Sequence, residues 1–212
     1  MTDNTKQHKN TLERIAQIFS DFFSPIVVPT YGTALALWIT PLSILPERIR
    51  FGVMAMIALI TAVIPTATIV TMIRLGRVSD MSISNRRERF IPFMVTIACY
   101  VAAAIYLGVV HAPAWLSLFF IGAAVSTLIA MLINFGWKIS AHATSAGGLA
   151  GIVSWLAFNH LAIGNAAAWV SGSVVLVGLI ATSRLILNRH TLGQVCAGAA
   201  LGFAVEFILL SL

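Results

Sequence analysis

The sequence predicts an all-α integral membrane protein, a bundle of about six to seven transmembrane helices. Two observations predict it. Of 212 residues, 59% are hydrophobic and only 9% are charged, too little polar surface for a domain whose outside faces water. The apolar residues also fall in runs of about 20, the length a helix needs to cross a core of ~30 Å at ~1.5 Å per residue. The net charge of +6 then reports orientation in a membrane rather than nucleic-acid binding.

The elements follow in order. Residues 1–10 are polar, and Leu12, Ile15, Phe19 and Phe22 recur at helical spacing behind them. That predicts an interfacial amphipathic turn, so residues 1–20 form a leading segment and 21–212 the transmembrane domain. With the first apolar run longer than a signal-peptide core, no cleaved leader is expected. Candidate spans cover 22–42, 51–73, 90–110, 114–135, 143–161, 166–187 and 191–210. Pro25, Pro29 and Pro41 bend the first or make its beginning re-entrant, and Pro65 kinks the second. The tripeptide HAP (111–113) and the tetrapeptide AIGN (162–165) read as tight hairpins. Cys99 and Cys196 sit inside apolar runs without metal or disulfide spacing and read as small buried residues. Seven crossings put eleven of the thirteen lysines and arginines on one side, leaving Arg48 and Arg50 on the other. The crowded side is then cytoplasmic, with the N-terminus inside.

Three polar islands share that side, because each pair is separated by an even number of crossings. They are SDMSISNRRERFIP (79–92), WKISAHATSAGG (137–148) and SRLILNRHTLGQ (183–194). On the last span His190, Gln194, Gly198 and Gly202 recur every four residues, and on the fifth Ala143, Gly147 and Gly151 do the same beside His142. Small residues at that spacing let membrane helices approach closely, so facing stripes would bring His142 and His190 together. Arginine supplies a rigid fork of donors suited to phosphate oxygens, and the Ser140 hydroxyl adds a donor. Backbone N–H groups at the start of the fifth span favour an anion as well. One histidine can attack phosphorus while the other protonates the leaving oxygen, with no metal or other cofactor. Gln194, one turn from His190, can accept from its ring N–H and hold the attacking nitrogen.

These islands resemble the motifs of the type 2 phosphatidic acid phosphatase superfamily, the membrane lipid phosphate phosphatases. The family's pattern SRxxxxxHxxxD is matched by Ser183, Arg184 and His190, with Gln194 where the family has an acid. Its PSGH is matched by ISAH, keeping Ser140 and His142. Its KxxxxxxRP is matched loosely by NRRERFIP, which has Arg86, Arg89 and Pro92 but Ser82 where the lysine would be. The resemblance implies that His190 is the nucleophile and His142 the acid and then the base. It implies that Arg184, Ser140, Arg86 and Arg89 hold the phosphate. It further implies a phosphorylated lipid as substrate and partner, in the bilayer of a bacterial inner membrane, and no nucleic acid. An amide at 194 orients the histidine but does not stabilise its growing charge, so turnover is expected to be slowed or lost.

Other readings of the same residues are interfacial histidines capping helices and topology-setting arginines, Lys138 among them. A phosphotransferase using the same histidine, a non-catalytic binder of anionic headgroups and a bis-histidine haem site are the competing functions. Asp80 could orient an arginine, and Trp115, Trp137, Trp155 and Trp169 suit an aromatic belt. His111 and His160 fall near the opposite surface. Glu206, about 24 Å of helix beyond His190, is expected to snorkel there too.

Overall fold

The computed structural model describes residues 2–79 and 86–212, and among them there is no strand. Asp80 and Ser82 lie outside the described residues, as do the side chains of Lys6, Lys9, Arg86 and Arg87. The helices are α1 (Thr2–Phe22), α2 (Val28–Ile39), α3 (Glu47–Ala58), α4 (Ile64–Arg74), α5 (Phe90–Val109), α6 (Ala114–Gly136), α7 (Ala141–Phe158), α8 (Ala166–Ile186) and α9 (Leu192–Ser211). A π-helical turn, Leu59–Val63, joins α3 to α4. Among the described residues, five helices are long and apolar enough to cross a membrane: Glu47–Arg74, Phe90–Val109, Ala114–Gly136, Ala166–Ile186 and Leu192–Ser211. This fits an integral membrane protein.

The two remaining expected spans come out shorter. The run 22–42 is broken by a turn at Pro25, leaving α2 with 12 residues, about 18 Å of helix. Its apolar composition continues through the turn, which is why the run looked unbroken. The C-terminal end of α2 meets the α7–α8 loop, where the Ile163 N–H donates to the Ile39 carbonyl at 2.6 Å. The fifth run becomes α7, with 18 residues. Pro65 enters one residue into α4, directly after the π-turn. The wider turn absorbs the missing donor and the ring's clash with the preceding turn.

The helix ends are set by local chemistry. Ser140 caps α7, accepting from the Ala143 N–H at 3.3 Å, and Asn165 caps α8 through Ala168 at 3.1 Å. Helices α4, α5, α7 and α8 end on left-handed residues: Gly76 (φ 67), His111 (φ 54), His160 (φ 57) and Asn188 (φ 51). Each reverses the chain within a turn and returns two N–H groups to the last carbonyls of its helix. His111 and His160 are therefore exposed helix-ending residues.

The leading segment does not stand apart from the bundle. Helix α1 runs to Phe22 and packs on α8. Its apolar residues Leu12, Ile15, Ile18 and Phe22 point outward, while Ala16 and Ser20 face the bundle. An apolar face turned away from the protein suits the boundary of a lipid surface. Cys99 is buried as expected, whereas Cys196 faces outward from α9.

The most extensive helix contact is α7 on α9, and its glycines leave no room for a side chain. A Cβ at Gly202 would run into the Thr144 carbonyl oxygen, and one at Gly147 into that of Ala199. The expected facing of the two small-residue stripes is thus present. Gly202→Val should force α7 and α9 apart and cost about 1–3 kcal/mol or more. Gly178→Ala on α8, whose Cβ would meet nothing within 4 Å, should change little. Thermal unfolding of the two variants in detergent checks the contrast.

Candidate active site

The chain turn between α8 and α9 explains the spacing of the third island. Arg184 lies in the last turn of α8, where the N–H of Arg189 returns to the Arg184 carbonyl at 3.1 Å. Asn188, one of the few residues that tolerates the left-handed region, makes this reversal possible. Thr191 then caps α9 in a reciprocal capping box with Gln194. Five residues therefore separate Arg184 and His190 in sequence, yet both line one cavity.

Gln194 fixes the tautomer of His190. Its Oε1 accepts from the Thr191 N–H at 3.2 Å and lies 3.1 Å from His190 Nδ1. A backbone N–H can only donate, so the atom facing both groups must be the amide oxygen. Nδ1 then carries the proton, and Nε2 keeps its lone pair. The expected hydrogen bond from the ring to Gln194 is present, and it makes Gln194 a positioning residue.

A cavity of about 150 Å³ is lined by Arg89, His142, Arg184 and His190, and at depth by Glu206. Arg184 is 3% exposed and donates through Nη1 to Ser20 Oγ at 2.7 Å. Its Nε is buried without a hydrogen-bond partner among the described residues. Arg89, 8% exposed, reaches the Ile139 carbonyl at 3.5 Å. His142, half-buried in the first turn of α7, donates to the Ser20 backbone and lies within electrostatic reach of Arg184, His190 and Arg89. Arg184 in turn feels Arg189 and Arg89 as like charges and Asp21 as an opposite one. Crowded guanidiniums around a cavity, one with an unused donor, form a site that an anion would relieve.

Ser140 is fully buried as the cap of α7, and its carbonyl takes the Thr144 hydroxyl at 3.0 Å. It does not line the cavity, where Ala141, His142 and Ser145 do. Its hydroxyl oxygen holds the start of α7 in place, so the two helices present His142 and His190 to one space. The Arg86 side chain lies outside the described residues.

Two residues in the site were not expected there. Ser20 belongs to the polar leading segment and carries no motif; only the packing of α1 on α8 delivers it to Arg184. Glu206 is 1% exposed and lines the deep wall of the same cavity, which corrects the expectation that it snorkels at the far surface. Its side chain leans toward the start of α9, as helix side chains do, and settles against Gly122, Gly148 and Gly151. The signal for it was legible: it is the acidic residue inside an apolar run, and such acids are rare in membranes unless they serve a site.

Burial, reinforced by Arg184 and Arg89 and opposed by the bond to Gln194, pushes His190 down to about 4. Its imidazole is then neutral, and able to attack, across the physiological range. The ring's titration midpoint, read by NMR, should fall near pH 4 rather than near 6.5. Stability carries the same sign. The folded value lies below the unfolded one, so this contribution is full above about pH 6.5 and is lost as pH falls toward 4. An NMR titration of the ring and a pH series of melting temperatures read the two effects.

No family model, curated protein or solved structure matches this chain.

Proposed function

We propose that this protein is an integral membrane phosphatase that removes phosphate from a lipid monoester or pyrophosphate through a phosphohistidine, without a metal. The observation that carries the reading is one cavity lined by His142, His190, Arg184 and Arg89, in which Nε2 of His190 is free and Nε of Arg184 has no partner. The motif resemblance to the type 2 phosphatidic acid phosphatases points the same way, and the core is read as theirs. In this reading α2 and α7 join the five longer helices in a seven-pass bundle. The arginine-rich end, which holds the cavity, faces the cytoplasm of a bacterial inner membrane.

The reaction follows from the proton inventory. Nε2 of His190 attacks phosphorus as the bond to the lipid oxygen breaks, and His142, protonated in the complex where the phosphate's negative charge offsets Arg184 and Arg89, gives that oxygen its proton. Water then attacks phosphorus, neutral His142 takes its proton, and the phosphorus–nitrogen bond breaks to release phosphate. Arg184 and Arg89 hold the equatorial oxygens, where negative charge is greatest in the transition state. Gln194 keeps Nδ1 protonated throughout, so the same nitrogen attacks each time.

One observation favours a second reading, a binder of anionic headgroups with little or no turnover. Residue 194 is an amide, which does not stabilise the charge on the attacking ring as a carboxylate does. Phosphate release from phosphatidate, phosphatidylglycerophosphate, polyprenyl pyrophosphate and phosphorylated sphingolipids separates the two. Release inhibited by vanadate, a mimic of the trigonal-bipyramidal phosphorus, is expected. Lipid binding that needs Arg184 but releases no phosphate would leave the binder reading.

A further inference from the structure

Glu206 is the group that the proposed phosphate chemistry leaves unused. Three glycines from two helices vacate the space it occupies. A Cβ at Gly122 of α6 would sit 2.5 Å from its Oε2, and one at Gly151 of α7 would sit 2.9 Å from its Cβ. Gly148 lies beside Oε2 as well. The carboxyl nevertheless forms no hydrogen bond among the described residues, and Oε1 is buried without a partner. The hydroxyls lining the same cavity differ: Thr96, Tyr100, Ser126, Thr127 and Thr144 each donate to a backbone carbonyl. A buried carboxyl without a partner costs free energy that a leucine would not, so its niche is shaped for something that arrives.

The position says what arrives. Gly148 lies six residues along α7 from His142, about 9 Å of helix rise. In a glycerol- or sphingoid-based phospholipid the polar linker begins a few bonds from phosphorus, a reach of that order. A polyprenyl or simple alkyl phosphate carries only hydrocarbon there. We propose that Glu206 is a specificity-determining residue whose carboxyl O–H donates a hydrogen bond to an oxygen of the ester, amide or hydroxyl linker of a phospholipid substrate. The proposal rests on the reading above for where the phosphate sits.

Its test compares phosphatidate and ceramide phosphate with an alkyl phosphate of matched chain length. Binding of each by the full chain in detergent is measured by tryptophan fluorescence, and phosphate release is measured in parallel. The parent protein is expected to prefer both linker lipids on the order of tenfold or more, the effect of one buried group left unpaired. That ratio should collapse toward unity in Glu206→Leu. It should stay within about threefold of the parent ratio in Glu206→Gln, whose amide both donates and accepts. A preference shared by the two linker lipids identifies their common hydrogen-bonding chemistry, and a preference for one assigns the ester or the amide. No preference in the parent protein overturns the proposal, as does a ratio unchanged in Glu206→Leu. Failure of phosphate release alone, with the binding ratio intact, overturns the phosphatase reading and leaves this one standing.

Discussion

His190→Ala should abolish phosphate release, lowering turnover on the order of 10³-fold or more while leaving the fold intact. The loss is expected in kcat rather than KM, because the imidazole forms a bond to phosphorus only beyond the bound state. Stability should scarcely fall. The ring hydrogen-bonds Gln194, and that oxygen keeps the Thr191 N–H as a second donor. Equal melting temperatures with unequal rates would separate chemistry from folding. A residual rate near that of the parent protein would mean that another group attacks.

Arg184→Ala should be the next most damaging change, on the order of 10²–10³-fold in kcat/KM, the range for removing one fixed donor from developing charge. Arg184→Lys should recover only part of it. A lysine ammonium is a point charge and cannot serve Ser20 through one edge while presenting another donor to the cavity. The parent side chain does the first at 2.7 Å and holds Nε unpartnered for the second. Ser20→Ala should loosen the guanidinium and reduce kcat/KM on a smaller scale, about tenfold. Because Arg89 and Arg189 surround Arg184 with like charge, neither arginine variant should melt much lower than the parent. Inorganic phosphate should raise the parent's melting temperature and have little effect on Arg184→Ala.

Much of this site was legible in the sequence because it is built from local rules. The period-four glycine and alanine stripes of α7 and α9 could only pack against another helix at close range. Placing His142 and His190 beside those stripes brought them to one end of the bundle. The bond from His190 to Gln194 follows from a one-turn spacing. What the sequence did not carry is which way an apolar helix faces, since lipid and protein interior are equally apolar. Cys196 was therefore expected inside and faces out. Counting residues along one helix misplaced Glu206, because the depth of its carboxyl depends on where α9 begins and on the lean of the side chain. The break at Pro25 was hidden by apolar residues on both sides of it, and Ser20 reaches Arg184 through a contact between residues 164 apart.

The central claim is a covalent bond between phosphorus and Nε2 of His190. It is tested most directly by mixing the protein with a radiolabelled phospholipid, quenching in alkali within one turnover and mapping the labelled peptide. The label is expected on His190, absent in His190→Ala and diminished in Arg184→Ala. A protein that releases phosphate with no label on any histidine, or with the label on His142, would contradict it.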